Sequence, residues 1–124
     1  MAERVLIVDD DPVVRRMLQL SFESEGFDVT TAGDGVEGLE AMRSGKPDAV
    51  ILDIMMPKLD GLKVLHELNI DDDLRGLPVI LLSAKATSLD VELGLKAGAS
   101  DYVTKPCDPI DLVERVRSAL AKTG

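Results

Sequence analysis

The chain has 124 residues, 45% of them apolar and 30% charged, the balance of a single folded domain with a core of its own. A net charge of −9, scattered Lys and Arg, and only three aromatic side chains (Phe22, Phe27, Tyr102) argue against a surface built to hold nucleic acid. No apolar run approaches the roughly 20 residues that cross a bilayer, and the opening MAERVLIV leads straight into aspartates rather than into a signal-peptide pattern, so a cytoplasmic location without membrane contact is the expectation. The lone Cys107 leaves no intrachain disulfide, and the lone His66 leaves no site that needs two imidazoles.

The first apolar run, Val5–Val8, stops abruptly at Asp9-Asp10-Asp11. Asp11-Pro12 reads as a helix N-cap followed by proline at the first helical position. In the helix that follows, Val14, Met17, Leu18, Ser21 and Phe22 share one face, and Gly26 marks its end. The second run, Phe27–Thr31, alternates at Phe27-Asp28-Val29, as an edge strand does. Val36, Leu39 and Met42 form the next helical stripe, closed near Gly45. Ala49–Leu52 is continuously apolar, the mark of a strand buried on both faces in a parallel sheet, and it ends at Asp53.

A stripe at Leu62, Leu65 and Leu68 follows, then a second continuous run, Val79–Leu82, ending at Ser83. Leu89, Leu93 and Ala97 make a fourth stripe, closed at Gly98. The short run Tyr102–Val103 precedes Lys105. Asp108-Pro109 repeats the capping signal and opens a last helix with Leu112, Val113, Val116, Ala119 and Leu120 on one face. Strict alternation of strands and helices predicts an α/β fold: one doubly wound (βα)5 domain over residues 1–124, with a five-stranded parallel sheet in the flavodoxin-like order 2-1-3-4-5.

In such folds sites gather beyond the carboxyl ends of the strands, where the strand order reverses. That rule brings together Asp9, Asp10, Asp53, Ser83 and Lys105. Clustered carboxylates repel, so either their pKa values rise or a cation neutralises them, and an all-oxygen ligand set suits a hard cation such as Mg2+. A metal, an ammonium and a hydroxyl together surround the oxygens of a phosphoryl group. Neither a Gly-x-x-x-x-Gly-Lys-[Ser/Thr] loop nor a Gly-x-Gly-x-x-Gly turn is present to cradle a nucleotide. A carboxylate that itself becomes phosphorylated fits the acidic strand ends better than a free phosphate ligand does.

Four ordered stretches, VLIVDDD, VILDIMMPKLDG, PVILLSA and GASDYVTKP, with Lys105 falling 22 positions after Ser83, carry a resemblance that covers essentially the whole chain. The chain resembles the receiver domains of two-component response regulators. The resemblance implies that Asp53 is the phosphoacceptor. It implies that Asp9 and Asp10 hold Mg2+, Asp10 more directly, with Asp53 and the backbone carbonyl of Met55 completing the protein ligands. Lys105 pairs with Asp53 and then with the phosphoryl oxygens, Ser83 turns toward the phosphoryl group, and Tyr102 is the aromatic switch. Lys105-Pro106 matches the family's cis peptide, and Pro57, Asp60 and Gly61 match the turn into the third helix.

The implied phosphodonor is a histidine kinase or histidine phosphotransfer protein. The implied reader is an output protein or domain that senses the surface of the fourth helix, fifth strand and fifth helix as its populations shift. Some relatives dimerise through that surface, where Asp101 and Arg115 are placed to pair. The chain is then either a single-domain switch or the receiver portion of a longer regulator, not a turnover enzyme on an outside substrate. A pseudo-receiver that is never phosphorylated is the alternative. A phosphohydrolase usually carries a second aspartate two residues after the nucleophile, where this chain has Met55, and acidic strand ends would repel an FMN phosphate. Cys107 departs from the bulky apolar residue usual after Lys-Pro, and Met55 and Lys85 stand where the family tunes phosphoryl lifetime.

Overall fold

The alternation is realised as β1 (Arg4–Val8), α1 (Pro12–Ser24), β2 (Asp28–Ala32), α2 (Gly35–Gly45), β3 (Ala49–Asp53), α3 (Gly61–Ile70), β4 (Val79–Ser83), α4 (Ser88–Lys96), β5 (Asp101–Thr104) and α5 (Pro109–Thr123). The computed structural model describes residues 2–56, 60–84 and 88–123. All neighbouring strands pair in parallel, in the order β2-β1-β3-β4-β5. The expected topology is therefore the observed one. Pro57 and Lys85, and the side chain of Leu89, lie outside what is described.

Side-chain alternation sends successive strand residues to opposite faces of the sheet. Leu6, Val8, Val50, Leu52, Val79 and Leu81 point into a core closed by Leu39 and Met42 of α2 and by Val64, Leu65 and Leu68 of α3. Val5, Ile7, Ala49, Ile51, Ile80 and Leu82 point into a second core, closed by Leu18 and Phe22 of α1 and by Leu112, Val113 and Val116 of α5. Helices on both faces explain why β1, β3 and β4 read as unbroken apolar runs. β2, at the edge, keeps Asp28 and Thr30 exposed.

Element ends are set by local hydrogen bonds. The Asp11 carboxylate caps α1, accepting from the N–H groups of Val13 at 2.9 Å and Val14 at 3.4 Å. Asp108 caps the start of α5, accepting from the Ile110 N–H at 2.9 Å. β2 begins one residue later than the apolar run because the Phe27 N–H turns back to the Phe22 carbonyl, and the Phe27 ring packs edge-on against Phe22 with centroids 5.3 Å apart. At the end of α2 the left-handed residue is Lys46 (φ 44°) rather than Gly45. Pro47 disfavours a right-handed helical conformation in the residue before it.

The helical stripes prove narrower than their sequence spacing suggests. Met17, Val36, Leu62 and Leu93 are 42%, 48%, 38% and 50% exposed. A straight helix laid on a sheet buries only the residues nearest the contact line, and those are Leu18 and Phe22, Leu39 and Met42, and Leu65 and Leu68. In α4 the contact line runs through Val91 and Gly94 and continues to Ala97 in the turn just after the helix. A Cβ at Gly94 would come within 2.9 Å of both Leu81 Cδ1 and Tyr102 Cδ2, so the helix backbone itself lies against the sheet. Leu93 is displaced outward as a result.

Candidate functional site

Three polar residues are buried among the described residues, Asp9, Asp53 and Ser83, and all stand at the carboxyl end of the central strands. Asp9 follows β1, Asp53 is the last residue of β3, and Ser83 is the last of β4. The Asp9 N–H donates to the Ala32 carbonyl at 3.2 Å and the Ile54 N–H to the Leu82 carbonyl at 3.1 Å, so the ladder continues to the edge of the site. The Lys105 N–H donates to the Ser83 carbonyl at 2.7 Å, which brings the segment after β5 alongside. The Lys105-Pro106 peptide is cis, as the resemblance implies.

The Lys105 ammonium lies 2.9 Å from Asp9 Oδ2 and 3.2 Å from Asp53 Oδ2. It donates a hydrogen bond to Asp53. The Met55 N–H donates to Asp53 Oδ1 at 3.1 Å, and the Asp11 N–H to Asp9 Oδ1 at 2.9 Å. Asp9 Oδ2 is buried and, despite the nearby ammonium, accepts no hydrogen bond in good geometry. Asp10 is exposed beside them, and one carboxylate oxygen from each of Asp9, Asp10 and Asp53 falls within 4.8 Å of the other two. An under-satisfied buried oxygen in an all-carboxylate set is a donor arrangement that fits a hard divalent cation. The carbonyl of Met55 belongs to the same loop, and the Met55 side chain is 53% exposed.

Electrostatics follow from this crowding. Burial, reinforced by the Asp9 carboxylate, raises the Asp53 pKa from 3.8 to about 6, although Lys105 and the Met55 N–H pull the other way. Burial alone would lower the Lys105 pKa. The negative charges of Asp9 and Asp53 and the hydrogen bond to Asp53 outweigh it and raise the value, so Lys105 stays an ammonium. Burial likewise pushes the Cys107 thiol above its usual range. Cys107 packs beside the second core, in the place of the bulky apolar residue usual there.

The turn into α3 has a steric requirement. The Gly61 N–H donates to the Ile54 carbonyl at 2.9 Å, and a Cβ at Gly61 would sit 2.6 Å from the Asp53 carbonyl oxygen. Asp60 caps α3, accepting from the Lys63 N–H at 3.0 Å. Tyr102 is buried with Leu81 and Ala99 in the core on the α2–α3 side, its ring against Gly94. Asp101 and Arg115 meet at 2.8 Å within this chain, and Arg115 also reaches Asp111 at 2.9 Å.

The structure thus brings Asp9, Asp10, Asp53 and Lys105 together, sets Ser83 beside them at the end of β4, and leaves Tyr102 one strand away. Sequence reasoning passed over Arg15. Its Nη1 donates to the Asp9 carbonyl at 2.8 Å. Its position on the α1 stripe, between Val14 and Met17, gives no sign of that contact.

Comparison with known proteins matches residues 5–117 to the family described as response regulator receiver domain. The transcriptional regulatory protein CseB of Streptomyces avermitilis is 50% identical over 126 residues, covering 100% of this chain and 52% of that protein. The DNA-binding response regulator MtrA of Mycolicibacterium smegmatis is 45% identical, covering 98% of this chain and 52% of its own length. The chain therefore spans about half the length of these curated relatives. Among solved structures, the receiver domain of the Francisella response regulator 1452 superposes with a TM-score of 0.92 at 36% identity, covering 98% of this chain and 99% of that one. A receiver domain protein of Methanospirillum hungatei gives a TM-score of 0.90 at 30% identity, covering 99% and 97%.

Proposed function

This chain belongs to the response regulator receiver domain family, and from that premise we propose that it is a switch set by transfer of a phosphoryl group onto Asp53. The observation that carries the reading is the convergence of Asp53 with the Lys105 ammonium at 3.2 Å and with the Asp9 and Asp10 carboxylates. An oxygen of the Asp53 carboxylate attacks phosphorus of a phosphohistidine on a partner kinase or phosphotransfer protein. A P–O bond forms, the P–N bond breaks, and the departing imidazole nitrogen takes up a proton.

Asp9, Asp10, Asp53 and the Met55 carbonyl are the residues that would hold Mg2+, which when bound supplies positive charge to the phosphoryl oxygens. Lys105 supplies a second positive charge, and the Met55 N–H keeps the Asp53 carboxylate oriented. The transition state is loose, so positioning and charge neutralisation carry most of the catalysis. The added charge of about −0.5 to −1 beyond the carboxylate's own is then available to draw the Ser83 hydroxyl inward. Tyr102 and the α4–β5–α5 surface respond, and an output partner reads the change. Two relatives are named as transcriptional or DNA-binding regulators. With a net charge of −9 on this domain, the controlled output is DNA binding by a different segment or protein.

The test is intact-mass measurement after incubation with Mg2+ and acetyl phosphate or phosphoramidate. One phosphoryl group is expected on the wild type and none on Asp53→Asn or in EDTA. No adduct from either donor, together with no beryllofluoride binding, would overturn this reading in favour of the non-phosphorylated interaction module.

Lys105 and a divalent cation compete for the same carboxylates. Lys105→Ala is therefore expected to bind Mg2+ about tenfold more tightly, the factor given by about 1.4 kcal/mol of relieved repulsion, while taking up phosphoryl groups more slowly. Calorimetric titration and the mass assay read the two effects separately. Weaker Mg2+ binding in the variant would show that Lys105 shapes the site rather than competing for it.

A further inference from the structure

Asp9 is fixed through nearly every polar atom it has. Its N–H reaches the Ala32 carbonyl of β2, its Oδ1 accepts from the Asp11 N–H, and its Oδ2 faces Lys105. The remaining atom is its carbonyl oxygen, which begins the peptide leading into Asp10. That carbonyl accepts from Arg15 Nη1 at 2.8 Å.

Arg15 reaches this position from the first turns of α1, the helix that Asp11 caps. Its guanidinium also borders the loop after β2: a Cβ at Gly33 would lie 3.4 Å from Nη1. One half-buried side chain thus spans α1, the Asp9–Asp10 peptide and the β2–α2 loop. Asp10 itself is exposed, so the backbone beneath it decides where its carboxylate stands relative to Asp9 and Asp53.

We infer that Arg15 is a positioning residue for the cation site, holding the Asp9–Asp10 peptide so that the Asp10 carboxylate is set for a divalent ion. The inference rests on the reading of Asp9 and Asp10 as Mg2+ ligands. Its sign runs against simple electrostatics. Removing a positive charge from beside the acidic loop should tighten cation binding, whereas losing the peptide's anchor should weaken it.

Arg16 supplies the control. It lies next in sequence with the same charge, but it is exposed and its Nη1 reaches Gln19 at 3.5 Å rather than the acidic loop. The experiment is calorimetric Mg2+ titration of the wild type, Arg15→Met, Arg15→Lys and Arg16→Met, with melting curves in EDTA to confirm folding. The positioning role predicts that Arg15→Met binds Mg2+ roughly three- to tenfold more weakly, that Arg16→Met binds as well as the wild type or better, and that Arg15→Lys falls between.

Should Arg15→Met not fold, Arg15→Lys decides alone. It keeps the charge but lacks the guanidinium fork, so reduced affinity supports positioning and unchanged affinity overturns it. Equal or tighter binding by a folded Arg15→Met overturns it as well. If the wild type binds no Mg2+, the reading of the acidic site fails before the role of Arg15 is reached.

Discussion

Asp53→Asn is expected to make the metal-free protein more stable at neutral pH, even though it removes the residue proposed to accept the phosphoryl group. Asp53 is buried beside Asp9, and its pKa rises from 3.8 to about 6. The folded state therefore holds the Asp53 proton more tightly than the unfolded chain does. By linkage, the group's ionisation penalises the fold: the penalty is absent below the unfolded value, grows as pH rises from about 4 to about 6, and is fully present above that.

One pKa unit corresponds to 1.36 kcal/mol, so a shift of this size sets a ceiling near 3 kcal/mol. The Lys105 contact that asparagine weakens reduces the gain, leaving roughly 1–3 kcal/mol and several degrees in Tm. Thermal melts in EDTA across the acid-to-neutral range should show the gap between variant and wild type opening with pH. Mg2+ should narrow it by stabilising the wild type more. A variant less stable than the wild type at neutral pH would mean that the Asp53–Lys105 contact outweighs the burial of charge.

Gly61→Ala is expected to cost about 2–4 kcal/mol, at the upper end for inserting one methyl group. The new Cβ would meet the Asp53 carbonyl oxygen at 2.6 Å and Ile54 Cα at 2.7 Å. Both are backbone atoms, so no rotamer change relieves the clash. The backbone must move, and it is the backbone that carries Asp53 and Met55. Urea unfolding should show the lost stability, and the folded fraction should take up phosphoryl groups at least about tenfold more slowly, since misplacement on the order of an ångström is that costly. Near-wild-type stability would require the turn to relax without strain, and an unchanged phosphorylation rate would then show that the site does not feel it.

The sheet order and the acidic edge were legible because Asp9, Asp53 and Ser83 each follow directly on an apolar run. Asp53 and Ser83 extend β3 and β4 by one residue beyond the apolar letters, so hydropathy and chemistry change at the same position. Helix faces were less legible. Spacing identifies which residues are candidates for burial, but the line of contact depends on how closely the helix approaches. In α4 that line follows Gly94, a residue with no hydropathy signal at all. Arg15 was illegible for a different reason. Its partner is a carbonyl oxygen, which every residue possesses, so no pairing of side-chain types betrays the contact.

Tyr102 and Val103 are adjacent on β5 yet belong to opposite cores. On the Val103 side the strand leans on α5 through Leu112, Val113 and Val116, all almost wholly enclosed. On the Tyr102 side it meets α4 at Gly94, where the bare backbone presses on the ring and Leu93 and Leu95 face outward. β5 thus stands between two unlike walls, one of interlocked side chains and one of bare helix backbone. In the proposed switch, any movement of the Tyr102 ring toward α4 therefore acts on the helix backbone directly, with no side chain at position 94 to absorb it.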